Sequence, residues 1–268
     1  MSSSELIDFT LVIPTLGERT KELQESLKAI SSSALKCDLI IVTPKAQIEE
    51  IDRLVKSYCA GYQVKVVIEN EYSSLPKAIN QGLALVRTKY WNWVADDDKV
   101  HLAEVKKIIM ELSLSDSYAL GVGSCRYFSS NTSKQIINDV RHFSAFAIFW
   151  GPNLIPQPSV VFRTEMVRTI GGINTNYLFA FDQELITKCL KRGKILVHRA
   201  VSSEYRWSKD TLTSKNRSTS LSESHQIRLE NAESNHQKLI VNSLYPLVAL
   251  IVRISDLVFK FKFQKRIF

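Results

Sequence analysis

Cysteine is scarce in this 268-residue chain: Cys37, Cys59, Cys125 and Cys189 form no CxxC pair and have no histidine at metal-site spacing. That excludes a zinc site or a disulfide framework as the organising feature and predicts reduced thiols in the core. The start, MSSSELIDFT, lacks the basic region and apolar block of a leader, and no stretch reaches the roughly 18 uninterrupted apolar residues of a spanning helix. The body of the protein is therefore expected in the cytoplasm. There is no internal repeat, and no glycine-rich loop follows the first apolar run, where PTLGER holds only Gly17. A backbone cradle for a triphosphate would need more.

What is present describes a globular protein. Hydrophobic residues make up 45% of the chain, enough for a substantial core, and 35 basic against 27 acidic residues leave a formal charge of +8. Such a balance suits an anionic partner: a nucleotide, a phosphorylated lipid, an acidic membrane surface or nucleic acid.

The first 100 residues alternate between two periods. FTLVIP (9–14), DLIIVT (38–43), VKVVIE (64–69) and YWNWVA (90–95) have strand length and β-branched or aromatic character. Between them, Leu23, Leu27 and Ile30, then Ile48, Ile51, Leu54 and Tyr58, then Ala78, Ile79, Leu83 and Val86 recur at helical spacing. The alternation predicts an α/β fold with a Rossmann-like, mostly parallel sheet and flanking helices. Ligands of such sheets bind beyond the carboxyl ends of the strands where the strand order reverses. Two polar turns occupy such ends, PTLGER (14–19) and ADDDK (95–99), and they face one crevice if the first and fourth strands are neighbours.

After residue 100 the spacing predicts a helix over 101–112, a strand over 118–125 and a polar hairpin. PQPSVVFRTEMVRTIGG then reads as a strand and a short helix, with Thr164 as its N-cap and Gly171-Gly172 as its stop. FDQELITKCLKRG (181–193) reads as a helix capped by Asp182 and ended by Gly193. Residues 208–224, rich in Ser, Thr, Lys and Asn, read as an exposed loop. The last thirty residues, apolar and compatible with a helix despite Pro246, end in KFKFQKRIF. They are suited to lying on a membrane, covering the core or joining two subunits.

WNWVADDDKV (91–100) carries the sharpest signal, because three successive carboxylates repel one another. In an extended chain Asp96 and Asp98 project to one side and Asp97 to the other. Two such acids suit a hard divalent cation, Mg²⁺ or Mn²⁺, shared with substrate phosphates. A solvated turn or a helix cap is the plain alternative.

FTLVIPT, LPKAINQGLALVRTKYWNWVADDDKV, PQPSVVFRTEMVRTIGGIN and FAFDQELITKCLKRG together resemble the successive motifs of family 2 glycosyltransferases with the GT-A fold, over roughly residues 8–220. The resemblance implies an inverting enzyme that moves a sugar from a nucleoside-diphosphate sugar to a glycan or lipid-linked acceptor, usually with a divalent metal, as in cell-surface polysaccharide synthesis. Carried over residue by residue, it implies a nucleoside pocket at Pro14, Thr15 and Glu18, with Lys77 and Asn80 beside the donor. Asp96 faces ribose or metal, Asp97 stays on the donor side as the member most suited to a structural role, and Asp98 ligates the metal. Asp182 matches the carboxylate that activates the acceptor, and Glu184 is its nearest substitute.

The implied domains are 1–220 for the transferase, divided into a nucleotide-binding half (1–100) and an acceptor half (101–220), and 221–268 for the tail. The expected partners are the sugar nucleotide, the acceptor, a peripheral contact with the cytoplasmic face of a membrane through 239–268, or a second copy in a homodimer.

Two departures bear on this. The second strand ends in Thr43-Pro44, where many members carry an acid that reads the base, which weakens a uridine assignment although a UDP-sugar stays the favoured donor. Ser208 stands where a histidine is expected after RW, and serine is a poor metal ligand. Arg206, Lys209, Lys215 and Arg217 in that stretch are either contacts to the diphosphate or a solvated basic loop.

Two other functions fit less well. A sugar nucleotidyltransferase lacks its glycine-rich loop here, and a nucleic-acid-binding protein would interleave Trp91, Trp93 and Trp207 with basic residues, which this chain does not. No nucleic-acid partner is expected.

Overall fold

The computed structural model describes residues 5–69, 74–130, 132–208 and 215–263. The four predicted strands are β1 (Glu5–Pro14), β2 (Leu35–Thr43), β3 (Val64–Ile68) and β4 (Tyr90–Trp93), separated by helices α1 (Thr20–Ser31), α2 (Ile48–Tyr58) and α3 (Leu75–Leu85). Each helix turns its predicted apolar residues inward: Leu23, Leu27 and Ile30 of α1 and Ile79 of α3 are fully buried. Both faces of the sheet are covered. Leu11 and Ile13 belong to the core under α1 and α2, while Val12 between them belongs to the core under α3. That doubles the apolar demand on each strand, so β1 reads as a continuous apolar run rather than an alternation.

The sheet runs β3-β2-β1-β4-β8-β6-β9-β5. β1 pairs in parallel with both β2 and β4, so the strand order reverses at β1/β4, as the two polar turns required. Beyond β4 the sheet is mixed. β8 (Val160–Arg163) runs antiparallel between β4 and β6 (Tyr118–Ser129), β6 pairs in parallel with β9 (Lys194–Arg206), and two-residue β5 (Lys99–Val100) pairs antiparallel with β9. β7 (Thr132–Asn138) completes the expected hairpin with β6. The remaining helices are α4 (Leu102–Ser113), α5 (Phe143–Trp150), α6 (Thr164–Thr169), α7 (Phe181–Leu190), α8 (Arg217–Asn231) and α9 (Asn235–Phe263).

Several local expectations change. Thr164 lies inside α6, and its hydroxyl donates to the Thr88 carbonyl at 2.7 Å instead of capping the helix. Asp182 is the second residue of α7, whose cap position is Ala180, and α7 ends at Leu190, before Gly193. Gly171 and Gly172 do stop α6, with φ of +92° and +73°. The loop expected over 208–224 becomes helix from Arg217 onward, and residues 209–214 lie outside the described residues. α8 carries Leu221 and Ile227 as its buried apolar residues and packs chiefly through polar groups, so it offers little apolar stripe to read. The boundary expected at 220 accordingly falls within α8. All four cysteines are buried and unpaired, and burial pushes the Cys125 and Cys189 thiols up to about 12. Among the described residues no helix is long and apolar enough to cross a membrane.

Candidate active site

β1 ends at Pro14, and the chain turns through Thr15 and Gly17 into α1. Gly17 has φ +74°, and a Cβ there would sit 2.6 Å from the Gln47 side chain, so this turn requires glycine. β4 ends one strand over, and Val94 N–H still donates to Val12 O at 3.0 Å before the acids begin. The two polar turns therefore meet. The Thr15 hydroxyl donates to Asp96 Oδ2 at 2.6 Å and accepts Gly17 N–H at 3.0 Å. The Arg19 guanidinium reaches Asp96 Oδ1 and Asp97 Oδ2, each at 2.5 Å.

The expected alternation of the three acids is not found. Asp98 N–H donates back to Ala95 O at 3.2 Å, so residues 95–98 form a turn rather than continuing the strand. Asp96 and Asp97 share one guanidinium, and Asp98 points elsewhere, accepting Arg206 N–H at 3.0 Å through Oδ1. All three are buried, at 3%, 7% and 2% exposure. Burial is the first cause that raises all three carboxyl pKa values above the usual range, and for Asp98 the neighbouring Asp97 adds to it. Arg19 opposes the shift at every one of them, and the Thr15 hydrogen bond opposes it at Asp96.

Asp182 is brought to the same end of the sheet. Trp93, the last residue of β4, packs on Phe181 at 6.1 Å between ring centroids and stacks on Phe162 at 5.5 Å. Gln157 Nε2 donates to Trp93 O at 2.7 Å and to Asn92 Oδ1 at 2.9 Å, which fixes the strand end beneath. Burial raises the Asp182 carboxyl to about 6; the backbone N–H groups of Gln183 and Asp182 pull the other way, and Glu223 adds to the rise. Glu223 of α8 accepts N–H from Leu178, Phe179 and Ala180 at 2.9, 2.8 and 2.9 Å, holding the approach to α7. Glu184 is buried and paired with Lys188 at 2.5 Å.

Other candidates are placed differently. Glu18 is exposed beside Arg19, and Lys77 is exposed on the first turn of α3. Asn80 uses both ends of its amide on Ile173, donating to its carbonyl at 2.7 Å and accepting its N–H at 2.9 Å, so it ties α3 to the segment after α6. Arg206 is 9% exposed and engages Glu25 at 2.5 Å, the Ser130 hydroxyl and the Asp97 carbonyl; it braces the acidic turn from within and is not a free contact for a diphosphate. Arg217 forms a two-point pair with Asp256 at 2.6 and 2.5 Å. Lys209 lies outside the described residues.

Sequence reasoning missed Arg19, Gln157 and Glu223. Arg19 closes the PTLGER turn, but its partners are about eighty positions away, and nothing local signals that pairing.

For the divalent cation, the available donors are oxygens, which is the chemistry Mg²⁺ and Mn²⁺ require. Among the described residues no three His, Cys, Asp or Glu side chains converge as a closed metal site. A Mg²⁺-type ion bound by one or two carboxylates and completed by phosphate and water does not need one. The acids therefore fit such an ion in donor type, while in the folded chain Arg19 rests on two of them and the Arg206 N–H holds the third.

Similar folds occur among solved structures. A fragment of S. aureus TarS (residues 1–349), in complex with UDP-GlcNAc, aligns over 88% of this chain and 70% of its own, with 15% identity and a TM-score of 0.64. The mannosyltransferase PcManGT from Pyrobaculum calidifontis, in complex with GDP-Man and Mn²⁺, aligns over 96% of this chain and 76% of its own, with 14% identity and a TM-score of 0.66. No match is found among curated protein sequences. The Glycosyl transferase family 2 model matches residues 10–170, more than half of the chain and inclusive of both polar turns. With a GT-A-type sheet whose strand order reverses between those turns, the chain belongs to glycosyl transferase family 2.

Proposed function

We propose that the protein transfers a sugar, with inversion, from a nucleoside-diphosphate sugar bound at the β1/β4 crevice to a glycan or lipid-linked acceptor approaching Asp182. The observation that carries this reading is the meeting of Thr15, Arg19, Asp96 and Asp97 at the strand-order reversal, with a carboxyl of raised pKa at the start of α7 on the same strand end.

The chemistry divides between these groups. Transfer passes through an oxocarbenium-like state while negative charge grows on the departing diphosphate. Asp182, ionised above pH about 6, takes the acceptor hydroxyl proton, a contribution of about 10² to 10⁴ in rate. Thr15 and Asp96 form the floor for the nucleoside, with Pro14 and Glu18 at its edge and Lys77 toward the phosphates. In the metal form of this reading Asp98 and Asp96, which in the folded chain face the Arg206 N–H and the Arg19 guanidinium, would turn from those partners to hold Mn²⁺ or Mg²⁺, which supplies Lewis-acid stabilisation of the leaving group when bound. The fixation of two acids by Arg19 favours a second form of the reading, in which this guanidinium supplies the positive charge and metal is dispensable. The sugar nucleotides named with the two similar structures carry different bases, and Thr43-Pro44 offers no acid to choose between them, so the UDP-sugar preference rests on the family resemblance.

A lipid-linked acceptor places the enzyme at the cytoplasmic face of a membrane in cell-surface polysaccharide synthesis, and we assign the peripheral contact to residues 239–268, of which 264–268 lie outside the described residues. The experiment that tests the reaction is a screen of nucleoside-diphosphate sugars, with and without Mn²⁺, for release of free nucleotide. Wild type is expected to respond to at least one donor, and Asp182→Asn to keep donor affinity while losing at least about a hundredfold in transfer. Silence toward every donor, with Asp98→Asn indistinguishable from wild type in thermal stabilisation by sugar nucleotide, would sink the reading.

A further inference from the structure

α9 has 29 residues, about 44 Å at the usual helical rise, and two unlike faces. Its inner face is fixed to the body of the protein. Val241, Val248 and Phe263 are buried, Phe263 stacks on Trp207 at 5.4 Å between centroids, and Phe259 packs edge-on against Tyr127 at 5.1 Å. Its outer face carries Leu247, Leu250, Ile254, Leu257, Val258 and Phe261, each 50–75% exposed. From Leu250 onward these recur at i, i+4, i+7, i+8 and i+11, so they form one stripe along the helix. Contiguous exposed apolar surface of this kind marks a contact with something else.

The charges on α9 identify that partner. Arg253 and Lys260 lie seven positions apart on one flank of the stripe, and Lys262 lies on the other, with Lys238 near the start. The sole acid in the helix, Asp256, is turned inward onto Arg217. Two copies packed stripe to stripe would set basic flank against basic flank with no acid to answer either. An anionic surface answers both. No helix here spans a membrane among the described residues, and an amphipathic helix with a basic polar edge lies in the plane of the interface instead.

We propose that α9 is an in-plane anchor selective for anionic lipid, with the Leu250/Ile254/Leu257 stripe at the headgroup boundary and Arg253, Lys260 and Lys262 on acidic headgroups. This deepens the peripheral contact assigned above and rests on it. The anchor is held to the residue that follows β9 through Trp207 and to β6 through Tyr127, so the catalytic domain sits at a fixed attitude to the lipid surface.

The test is co-sedimentation of the full chain with vesicles of pure phosphatidylcholine and with vesicles containing about 30% phosphatidylglycerol. Wild type is expected to bind the anionic vesicles at least tenfold more tightly, with the difference shrinking as salt rises. Leu250→Gln/Ile254→Gln/Leu257→Gln should lose at least tenfold on both vesicles. Arg253→Gln/Lys260→Gln/Lys262→Gln should lose the anionic preference alone. The triple variants alter exposed residues apart from half-buried Lys262, and an unchanged circular dichroism spectrum and sugar-nucleotide affinity verify their folding. Wild type that fails to bind anionic vesicles overturns the proposal, as does a stripe variant that binds like wild type. A stripe variant that changes a dimer to a monomer in light scattering, with vesicle binding unaltered, puts a second copy on this face and overturns it too. Vesicle binding without transfer to any acceptor strikes the glycosyl-transfer reading and leaves the anchor standing; transfer to a soluble acceptor without vesicle binding does the reverse.

Discussion

Arg19 resolves the repulsion that the run Asp96-Asp97-Asp98 builds in. The sequence invited a cation there, and the folded chain supplies one of its own, 2.5 Å from two of the three acids. Removing it as Arg19→Met leaves two buried carboxylates facing each other. Stability should fall by about 1–3 kcal/mol, below the ~3–5 kcal/mol lost when a fully buried pair is broken, because the guanidinium is half exposed. The same variant should regain much of its melting temperature in Mn²⁺, whereas wild type without donor shifts less; differential scanning calorimetry with and without Mn²⁺ reads both. A variant indifferent to Mn²⁺, together with wild-type turnover that survives chelation, would decide for the metal-free form. At this scale the residue types of the site were legible, since Thr15, Asp96 and Asp182 stood at the ends of recognisable runs. Their directions were not, because the 95–98 turn and the Arg206 N–H that takes Asp98 depend on strands paired from opposite ends of the chain.

Elements are where polar packing hides. The start of α8, as far as residue 224, looks like loop because the helix makes its contacts through Glu223, Ser224, Arg228 and Glu230 rather than through an apolar stripe. Ser224 donates to Gln183 Oε1 at 2.5 Å, Tyr177 donates to Glu230 at 2.7 Å, and Arg228 donates to Gly151 O at 2.7 Å. Glu223 matters most for function, since its three acceptor contacts set the loop immediately before Asp182. Glu223→Gln keeps the shape but loses the charge that strengthens those bonds, each worth about 1.5–3 kcal/mol when one partner is ionised. The expected result is a kcat about tenfold lower with donor KM unchanged, and partial recovery in Glu223→Asp. An equal loss in KM would place the effect on the donor side instead. β1 to β4 and α1 to α3 were readable for the opposite reason: their partners are apolar, and apolar periodicity is written locally.

The whole molecule is predicted to be more stable in mild acid than in mild base. Burial raises Asp98 well above its ordinary value of 3.8 and Asp182 to about 6. A carboxyl with a raised folded pKa binds its proton more tightly in the native state, so its stabilising contribution is complete below the unfolded value and is lost as pH rises through the folded one. His225, lowered from 6.5 by burial, opposes this weakly as pH falls, while Glu104 and Glu204, lowered from 4.5, act below the window concerned. The melting temperature should therefore be higher at pH 5.5 than at pH 8, and donor with Mn²⁺ should narrow the gap by favouring the ionised acids; a melting temperature that climbs across that range would contradict the assignment.

What the sequence determined alone was the layered α/β class and the two polar turns, which follow from apolar period and from residue types at strand ends, and the family, which its successive motifs resemble and the family model matches. Only the tertiary structure decided that β1 and β4 are neighbours, that β8 and β9 complete a mixed sheet, and that Arg19 stands on Asp96 and Asp97. Strand order and long-range ion pairs depend on which distant segments bury surface together, and no local pattern encodes that choice.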